Sequence, residues 1–456
     1  MGTQEVELPV SPTALLLRCV DEPFAFVLDG GSVASWGSGH ALLGFRPRAT
    51  LHVTATGEAR MCRDGATQHW QGDPFALLDR FCADWTPPEN GAALTGGVVA
   101  ALSYDLRHWV ERLPRRAHDD QRLPVLYAAA YDWLLSYSYE QRRYQLASWS
   151  RSQTELRSLA AELVARAAAT STQPDHVGSA RVVSNFTKDE YIHAVQASLD
   201  YIAAGDVYQV NLAQRFGSAA PQAQAPAALF ATWQRHHAMP FAAYVDGGDF
   251  ALVSNSPECF LTLQQQKVAT FPIKGTRRRG ADALADAALA RALRTDPKER
   301  AEHVMIVDLE RNDLGRVCRT GSVRVETFAR VHSFPSLHHL VSKVAGERRP
   351  GLGLADVLRA TFPGGSITGA PKIRAMEIID ALEPVSRGFY TGAIGFIGRG
   401  GDAVFNLAIR TAVACDGRFT YHAGGGIVAD SIPTREYDET LLKAQPFFAA
   451  LSMRAA

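Results

Sequence analysis

The sequence contains 456 residues, more than a single compact core usually holds, so it predicts one large domain or two closely packed ones. Its 47 Lys and Arg residues balance 47 Asp and Glu residues, which removes the usual electrostatic argument for nucleic acid or an anionic membrane as a partner. No apolar run reaches the length of a membrane span, and the six cysteines form no Cys-x-x-Cys pair, so we expect a cytoplasmic protein with reduced thiols and a small substrate.

The first third of the chain, up to about residue 150, consists of short strand-like runs interrupted by Gly and Pro, such as FAFVLDGG, ATLHVTAT and TGGVVAALSYDL. These runs predict a mainly β region. A helical apolar pattern then covers Thr154 to Ala168, and the polar stretch TSTQPDHVGS that follows it is interpreted as a linker. The sequence thus divides into an N-terminal region, 1–175, and a second region, 185–450.

The second region alternates helical and strand-like patterns. Helices are predicted at Lys188 to Ala204, Ala281 to Thr295, Pro297 to Asn312, Pro371 to Leu382 and Arg435 to Leu451. Strands are predicted in AAYVDG, FALVSN, AIGFIG and LAIRTAVAC. Because no internal repeat accompanies this alternation, the pattern favours an α+β fold with large sheets.

The runs ALVSNSPECFLTL and KVATFPIKGT are joined by QQQ and predict an antiparallel hairpin that turns near Gln265. In that register Glu258 lies opposite Pro272, and Lys274 lies two residues further along the same face. An acid and an amine then share one site, where burial would lower the pKa of the amine and make it a nucleophile. The alternative is an ion pair at an exposed hairpin end.

The segment TDPKERAEHVMIVDLERND predicts a helix with Asp296 as its N-cap, Pro297 as its first residue and Glu299 completing a capping box. Glu302 is followed at helical spacing by three apolar residues, so its carboxylate lies on the apolar stripe. A carboxylate that faces the core needs a cation, a donor network or a proton. A Glu at the rim of the core is the alternative.

Near the C-terminus, AGGGIVADSIPTREYDETLLKAQ places a glycine run before a helix that carries Glu436, Glu439 and Lys443 along one side. The spacing of Glu439 and Lys443 is that of an ordinary surface pair, whereas two carboxylates from separate helices would suit Mg²⁺, which prefers oxygen ligands. The turn FPGGSITGAPK has Ala370 and Pro371 where a nucleotide-binding loop needs Lys and Ser or Thr, so it predicts no phosphate site.

Eight segments, taken together, resemble the chorismate-utilising enzymes, the family of anthranilate, aminodeoxychorismate, isochorismate and salicylate synthases. They are SPE, PIKGT, KERAEHVMIVDLERNDLGRV, HHLVS, FPGGSITGAPK, RGFYTGAIGFI, NLAIRT and AGGGIVADSIPTREYDETLLKA. The resemblance is strong from Asp189 onward and looser in the N-terminal half, where LLGFRPRATL and GGVVAALSYDL are similar to large subunits of the family. It implies an α+β fold in which two large antiparallel sheets face each other and helices cover the outside.

Two positions favour one branch of this family. Isochorismate and salicylate synthases resemble each other in a lysine that activates water, whereas this sequence has Gln209, whose amide cannot deprotonate water. In anthranilate synthases the turn usually reads Pro-Ile-Ala-Gly-Thr, and here Lys274 stands in place of the alanine, as in aminodeoxychorismate synthases. The resemblance therefore implies amination of chorismate at C4, for para-aminobenzoate and folate synthesis. An anthranilate-forming large subunit and a non-catalytic chorismate-binding subunit are the alternatives.

The resemblance also implies the roles of individual residues. Lys274 would attack C2 of chorismate while Glu258 acts as general acid on the departing C4 hydroxyl. Glu302 and Glu439 would hold a Mg²⁺ cofactor, which offsets the charge of the dianionic substrate. The remaining positions matched to the substrate site are Gly275, Thr276, His339, Tyr390, Arg410, Gly425, Gly426 and Lys443.

The source of ammonia is predicted to be a second protein. The sequence has no cysteine motif typical of glutaminases and ends soon after LLKAQPFFAALSMRAA, so a separate glutamine amidotransferase subunit is expected. Family members often carry a Leu-Asp/Glu-Ser segment in a tryptophan pocket. Here VLDGG places Gly30 where the serine hydroxyl would lie, which argues against bound tryptophan.

Overall fold

The computed structural model describes residues 2–31, 39–85, 94–169, 177, 180–220, 225–334 and 337–452. In the first part of this range the strands are β1 (Gly2–Val6), β2 (Phe26–Asp29), β3 (His40–Gly44), β4 (Ala49–Val53), β5 (Glu58–Arg63), β6 (Ala66–Gln71), β7 (Gly97–Leu102), β8 (Leu126–Tyr131), β9 (Trp133–Ser138) and β10 (Arg143–Ser148). The later strands are β11 (Val182–Ser184), β12 (Gln209–Ala219), β13 (Phe241–Asp246), β14 (Phe250–Ser256), β15 (Cys259–Gln264), β16 (Lys267–Thr270), β17 (Ile273–Arg278), β18 (Arg324–Ser333), β19 (Leu337–Glu347), β20 (Gly369–Ala370), β21 (Ala393–Ile397), β22 (Ala403–Leu407), β23 (Thr411–Cys415) and β24 (Arg418–Ile427).

The helices of the described residues lie between these strands. They are α1 (Pro12–Leu16), α2 (Pro74–Trp85), α3 (Arg107–Val110), α4 (Gln153–Ala168), α5 (Lys188–Ala203), α6 (Ala225–His237), α7 (Ala283–Thr295), α8 (Pro297–Gly315), α9 (Leu354–Thr361), α10 (Lys372–Leu382) and α11 (Pro433–Ser452). Short 3₁₀ turns occur at Tyr104–Leu106, Gly365–Ile367 and Arg399–Gly401. None of the described helices is long and apolar enough to span a membrane.

The strands form two antiparallel sheets. Sheet I has the order β1-β10-β9-β3-β2-β13-β14-β23-β24-β12-β11, with β20 beside β12. Sheet II has the order β17-β19-β16-β15-β22-β21-β7-β8-β4-β5-β6, with β18 beside β19. Strands from both sides of the predicted linker enter both sheets. The linker itself falls on residues that, apart from 177, lie outside the described ranges.

Helices cover the outer faces, so the fold has four layers. Side chains from both sheets pack against each other in a central core that includes Phe26, Val99, Tyr127 and Leu252. A second core packs sheet I against α1, α4, α6 and α11, and a third packs sheet II against α2 and α9. Burial of apolar surface in these three cores is the main term that stabilises the sandwich. The predicted α+β fold with two facing sheets is confirmed.

The local signals of α8 place its start correctly but not its capping box. The carboxylate of Asp296 accepts hydrogen bonds from the backbone N–H groups of Lys298 and Glu299 at 3.0 and 3.2 Å. The predicted return bond from Glu299 to the N-cap is wrong, because that carboxylate pairs with Arg277 at 3.1 Å instead. The ion pair joins α8 to β17. The predicted helices corresponding to α4, α5, α7, α10 and α11 match within two residues at each end.

The predicted hairpin of β15 and β16 is present, but its register differs by one residue. Gln264 pairs with Lys267, so the same register extended would place Glu258 opposite Ile273 rather than Pro272. The predicted facing with Pro272 is therefore wrong, since the loop contains two residues. The pairing ends before that point, and β17 continues along β19 instead.

The segment LAIRTAVAC, predicted as one strand, is interrupted at Arg410. This residue has a φ of 52°, which a non-glycine residue rarely adopts, and the chain changes sheets there, from β22 in sheet II to β23 in sheet I. A second change of sheets, from β14 to β15, occurs at Glu258. The two crossovers lie side by side, because Leu407 N donates to Glu258 O and Asn255 N donates to Arg410 O, each at 3.0 Å.

Candidate active site

The residues predicted to form a site meet between the two sheets. Lys274 Nζ, from β17 of sheet II, lies 3.9 Å from Glu302 Oε2 on α8. The same nitrogen lies 3.2 Å from the point that a Cβ at Gly426, in β24 of sheet I, would occupy. At the neighbouring Gly425, a Cβ would lie 3.5 Å from Glu439 Oε1 on α11. The two glycines therefore keep open the space that separates the amine from the carboxylates of α11.

Lys274 stands beside an irregularity in the pairing of β17 with β19. The register shifts between Lys274 and Thr276, and Gly275 has a φ of 77°, which favours glycine. A Cβ at Gly275 would also approach Glu299 Oε2 and Leu293 Cδ1 to 3.0 Å each. The Gly-Thr turn of the sequence is thus a strand irregularity that directs the lysine side chain into the site.

The amine of Lys274 lies in an environment that disfavours its charge. Its side chain is 15% exposed. Burial lowers the pKa of this ammonium group from its usual value of 10.5, and the negative charge of Glu302 opposes that change. Because burial is the larger influence, the site increases the fraction of neutral amine, which is the nucleophilic form.

Glu258, at the crossover from β14 to β15, is a buried acid. Burial raises the pKa of its carboxyl group from 4.5 to about 7, although hydrogen bonds from Ser366 and Ile273 and the charge of Lys274 oppose the rise. The donors Ser366 Oγ and Ile273 N lie 2.8 and 3.4 Å from Oε1. A carboxyl group that keeps its proton near neutral pH is suited to general acid catalysis.

The carboxylates on α11 lie nearer to solvent. Lys443 Nζ lies 2.7 Å from Glu439 Oε1 and donates to Gly424 O at 2.8 Å. The charge of Lys443 holds the pKa of Glu439 below its usual value. Burial raises the pKa of the nearby Glu436, and repulsion from Glu439 adds to the rise. On the surface above them, Lys298 forms an ion pair with Asp430 at 2.9 Å, which connects α8 to the loop before α11.

The carboxylates of this site have the chemistry that Mg²⁺ prefers. Burial and the charges of Glu299 and Asp430 raise the pKa of Glu302, and its neighbour Lys274 only partly offsets this. A cation would relieve the accumulated negative charge of Glu302, Glu436 and Glu439. The described residues contain no ready-made group of three metal-ligating side chains, so water and substrate oxygens would complete the coordination of an ion held here.

The exposed Thr276 on β17 contacts the buried His339 on the neighbouring strand β19. Thr276 Oγ1 and His339 Nδ1 are 3.0 Å apart, and Gly275 O lies 3.4 Å from the same nitrogen. Burial lowers the pKa of His339 to about 3, so the ring is neutral. Its Nε2 atom is buried without a hydrogen-bond partner among the described residues. A substrate oxygen would satisfy that nitrogen.

Tyr390 and Arg410 complete the predicted set. Tyr390 is 5% exposed and stacks on His422, with ring centroids 5.0 Å apart, and burial raises the pKa of its hydroxyl. Arg410 is half-buried and forms no ion pair with the described residues, while burial lowers the pKa of its guanidinium. A partly desolvated guanidinium without a counter-ion among the described residues is suited to bind a carboxylate.

Gln209 is fully buried at the start of β12, close to the amine. A Cβ at Gly426 would lie 2.9 Å from Gln209 Nε2 and 3.2 Å from Lys274 Nζ. Neither Nε2 nor Oε1 of Gln209 has a hydrogen-bond partner among the described residues. An unpaired buried amide is costly, so it indicates a place where a ligand or water supplies the missing bonds.

The sequence analysis missed two buried residues, Glu310 and Ser366. Together with Glu258 they form what we call the inner wall of the site. Glu310, two turns after Glu302 on α8, is 6% exposed, and burial raises the pKa of its carboxyl group to about 8. Its helical spacing from Glu302 is a signal that could have identified it. Ser366, which donates to Glu258, comes from the distant turn Gly365–Ile367, and no spacing in the sequence connects the two.

A family model described as chorismate binding enzyme matches residues 32–449. The chain is 40% identical to aminodeoxychorismate synthase component 1 of Klebsiella aerogenes, over 92% of each chain. It is 36% identical to anthranilate synthase component 1 of Thermus thermophilus, covering 99% of this chain and 97% of that one. The crystal structure of anthranilate synthase component I from Streptococcus pneumoniae superposes with a TM-score of 0.78 at 29% identity, covering 89% of this chain and 91% of that one.

Proposed function

This chain belongs to the family of chorismate-binding enzymes, and we propose that it is the component of aminodeoxychorismate synthase that converts chorismate and ammonia to 4-amino-4-deoxychorismate. The observation that carries this proposal is the placement of Lys274. A primary amine with a lowered pKa stands in the site together with a carboxyl group, Glu258, whose pKa is raised to about 7. A nucleophile and an acid are thus available in one cavity at neutral pH.

In the first proposed step, neutral Lys274 Nζ forms a bond to C2 of chorismate. The double bond shifts, and the C4–O bond breaks. Glu258 gives its proton to the departing hydroxyl, which leaves as water, and Glu258 becomes a carboxylate. The adduct nitrogen carries the positive charge, which the neighbouring carboxylate of Glu302, 3.9 Å from Nζ in the unliganded chain, stabilises.

In the second step, ammonia forms a bond to C4 and the bond from C2 to Lys274 breaks, which returns a neutral amine. The new ammonium group at C4 loses a proton to the Glu258 carboxylate, so the acid is restored. The net change is the replacement of the C4 hydroxyl by an amino group with release of water. Lys274 directs the amine to C4 because it occupies the approach to C2 itself.

Substrate binding is assigned to residues of the predicted set around Lys274. The guanidinium of Arg410 would hold the enolpyruvyl carboxylate beside Tyr390, and the backbone of Gly425 and Gly426 would approach the substrate closely. His339 and Thr276, with Gly275 and Lys443, would bind the remaining oxygens. We assign Glu302 and Glu439 to Mg²⁺, which when bound would offset the charge of the ring carboxylate.

The same proposal assigns the chain a partner and a pathway. Ammonia would come from a glutamine amidotransferase subunit, and the product would lead to para-aminobenzoate and folate. The cytoplasmic location stays a prediction from the sequence. The alternative function is that of an anthranilate synthase component, which the similarity to such proteins supports. Lys274 favours the first function, because it fills the position through which ammonia would have to reach C2.

The test is a product assay with chorismate, Mg²⁺ and ammonium at mildly alkaline pH, followed by chromatography. We expect aminodeoxychorismate as the main product of the unmodified chain. Lys274→Ala should reduce its formation on the order of a hundredfold or more, the scale at which single catalytic groups act. The matched control is Lys267→Ala, because Lys267 is an exposed lysine in β16, the preceding strand along the chain, and its ammonium group pairs with the surface Glu326.

Two outcomes would contradict the proposal. Anthranilate as the main product of the unmodified chain would show that Lys274 does not determine the position of amination. Unchanged aminodeoxychorismate formation by Lys274→Ala would show that the lysine forms no bond to the substrate. Equal loss in the Lys267→Ala control would point to general destabilisation, which thermal unfolding of both variants would measure.

A further inference from the structure

The two oxygens of the Glu258 carboxyl group have different surroundings. Oε1 accepts hydrogen bonds from Ser366 Oγ at 2.8 Å and from the backbone N–H of Ile273 at 3.4 Å. Oε2 accepts no hydrogen bond within the part of the chain that the structure describes. A backbone N–H can only donate, so at least one of the two contacts fixes Oε1 as an acceptor.

The bond from Ser366 is buried and held by its surroundings. Ser366 is 7% exposed and Glu258 is 5% exposed. The turn Gly365–Ile367 that carries the serine packs against α8, where a Cβ at Gly365 would lie 2.8 Å from Leu309 Cδ2. Because both groups are withdrawn from water, their hydrogen bond is stronger than an exposed one.

We propose that Ser366 is a positioning residue that fixes the transferable proton of Glu258 on Oε2. The proposal rests on the role of Glu258 as general acid in the proposed function. In a protonated carboxyl group the carbonyl-type oxygen is the better acceptor, so two donors at Oε1 favour the hydrogen on the other oxygen. Without Ser366 only the longer contact from Ile273 N, at 3.4 Å, would favour the hydrogen on Oε2, so a larger fraction of the protonated groups would carry it on Oε1.

The groups that face Glu258 define how its titration should respond. Lys274 on β17 lowers the pKa of this carboxyl group, and Glu310 on α8 and the adjacent Cys259 are the other titratable neighbours. Burial raises the pKa of Glu310 to about 8, so most of this group still carries its proton when Glu258, with a pKa of about 7, is half titrated. The Ser366 bond stabilises the ionised form of Glu258, and its loss should move the titration to higher pH.

The experiment compares three variants of the full chain over pH 5 to 9, with kcat and KM measured separately. Ser366→Ala removes the donor, and Ser366→Thr keeps a hydroxyl at the same position. Ser256→Ala is the matched control, because Ser256 Oγ accepts from Glu258 N at 3.1 Å and donates to Leu407 O at 2.6 Å, without contacting the carboxyl group. Circular dichroism and thermal unfolding establish that each variant is folded.

We expect Ser366→Ala to lower kcat about tenfold, a fraction of what a general acid contributes, with little change in KM. The alkaline limb of its pH profile, where kcat declines as Glu258 loses its proton, should shift to a higher pH by about one unit. This is the effect of losing one hydrogen bond to a charged group. Ser366→Thr should restore both properties. Ser256→Ala should lower kcat without moving the limb.

An unmoved alkaline limb in Ser366→Ala, or a Ser366→Thr variant that behaves like Ser366→Ala, would overturn the proposal. If Ser366→Ala does not fold, Ser366→Cys, which keeps a side chain of similar size but donates weakly, takes its place. The profile is read on whichever aminated product the unmodified chain forms. A failure of the proposed product therefore leaves the test of Ser366 intact and is distinguishable from it.

Discussion

Two carboxyl groups of the site have pKa values displaced in opposite directions. Glu258 lies on the inner wall, and Glu439 lies at what we call the rim, the solvent-facing side formed by Glu436, Glu439 and Lys443 of α11. Glu258 is 5% exposed and its pKa is raised by burial, whereas Glu439 keeps 48% of its side-chain surface and its pKa is lowered by Lys443. Where two acids of one site are separated in this way, the group with the raised pKa is suited to donate a proton and the ionised one to bind a cation.

The difference originates in the elements that carry the two residues. Glu258 lies at a crossover of the chain between the sheets, where backbone and side chains surround it on all sides. Glu439 projects from a helix that packs only one face on sheet I, so a lysine one turn later on the same helix determines its charge. Burial in the inner wall thus raises the pKa of Glu258, and the positive charge of Lys443 at the rim lowers the pKa of Glu439.

The largest expected effect is that of Glu258→Gln. The variant keeps the shape of the side chain but has no proton to donate, so kcat should fall about 10²- to 10⁴-fold. In the unmodified chain kcat/KM should decline as pH rises through about 7, because the raised pKa of Glu258 marks the pH at which the acid loses its proton. A pH profile of both proteins checks this.

Either of two results would contradict the difference drawn between Glu258 and Glu439. A Glu258→Gln variant with near-normal kcat would show that the wall does not supply the acid. A decline in kcat/KM near the ordinary carboxyl pKa of 4.5 would show that burial does not control the titration. The matched control is Glu326→Gln, since Glu326 is a surface carboxylate that pairs with Lys267 and Lys343 and does not belong to the predicted site.

The next largest effect should be that of Glu439→Gln at the rim. Loss of an assigned Mg²⁺ ligand should raise the Mg²⁺ concentration needed for half-maximal activity at least about tenfold, the scale on which even indirect partners of a metal act. The maximal rate at saturating Mg²⁺ should change less. Titration with Mg²⁺, by activity and by calorimetry on the unreacted chain, measures both. A lowered maximal rate with unchanged Mg²⁺ dependence would assign Glu439 to the reaction instead.

The last expected effect concerns stability and distinguishes wall from rim without any substrate. Glu310, buried in the wall, has a pKa raised to about 8 from 4.5, so the unfolded chain releases its proton first as pH increases. This lowers the stability of the native chain between pH 4.5 and 8. Glu310→Gln removes that dependence and should gain about 2 to 5 kcal/mol at pH 9 relative to its effect at pH 5.

The rim counterpart has the opposite sign. The pKa of Glu439 is lowered, so its contribution to stability is present above the ordinary carboxyl pKa and disappears as pH falls through the lowered one. Because this pair is exposed, Glu439→Gln should change the free energy of unfolding by less than about 1 kcal/mol. Urea unfolding of both variants at pH 5 and pH 9 provides the measurement. If Glu310→Gln and Glu439→Gln changed the pH dependence of the free energy of unfolding equally, the distinction between wall and rim would be wrong.

The helices could be predicted closely because their signals are local. Asp296 and Pro297 specify the start of α8 from adjacent positions, whereas the helix continues beyond its predicted end at Asn312, to Gly315. The ion pair of Glu299 could not be predicted, because its partner Arg277 belongs to another element, β17. The strand LAIRTAVAC was read as continuous because a positive φ at Arg410 has no local mark in the sequence, as glycine would have.

The residues of the site also differ in how far the sequence predicts them, because some lie in motifs and others depend on contacts between distant elements. Motifs indicated Lys274, Glu302 and Glu439, and the fold brings them close together, while their catalytic roles stay predictions. Glu310 was missed although it shares a helix with Glu302, because a buried acid without an assigned partner resembles any other helical Glu. Ser366 was missed because its contact with Glu258 joins residues 108 positions apart, a distance that no periodic pattern spans.

The paired crossovers make the site sensitive to the spacing of the sandwich itself. Glu258 and Arg410 each lie where the chain leaves one sheet for the other, and backbone hydrogen bonds hold the two passages together. Neither residue can follow the displacement of one sheet alone. The distance between Glu258 and Arg410 therefore depends on the thickness of the central core, so we expect changes in the volume of side chains such as Phe26 or Leu252 to alter the shape of the site.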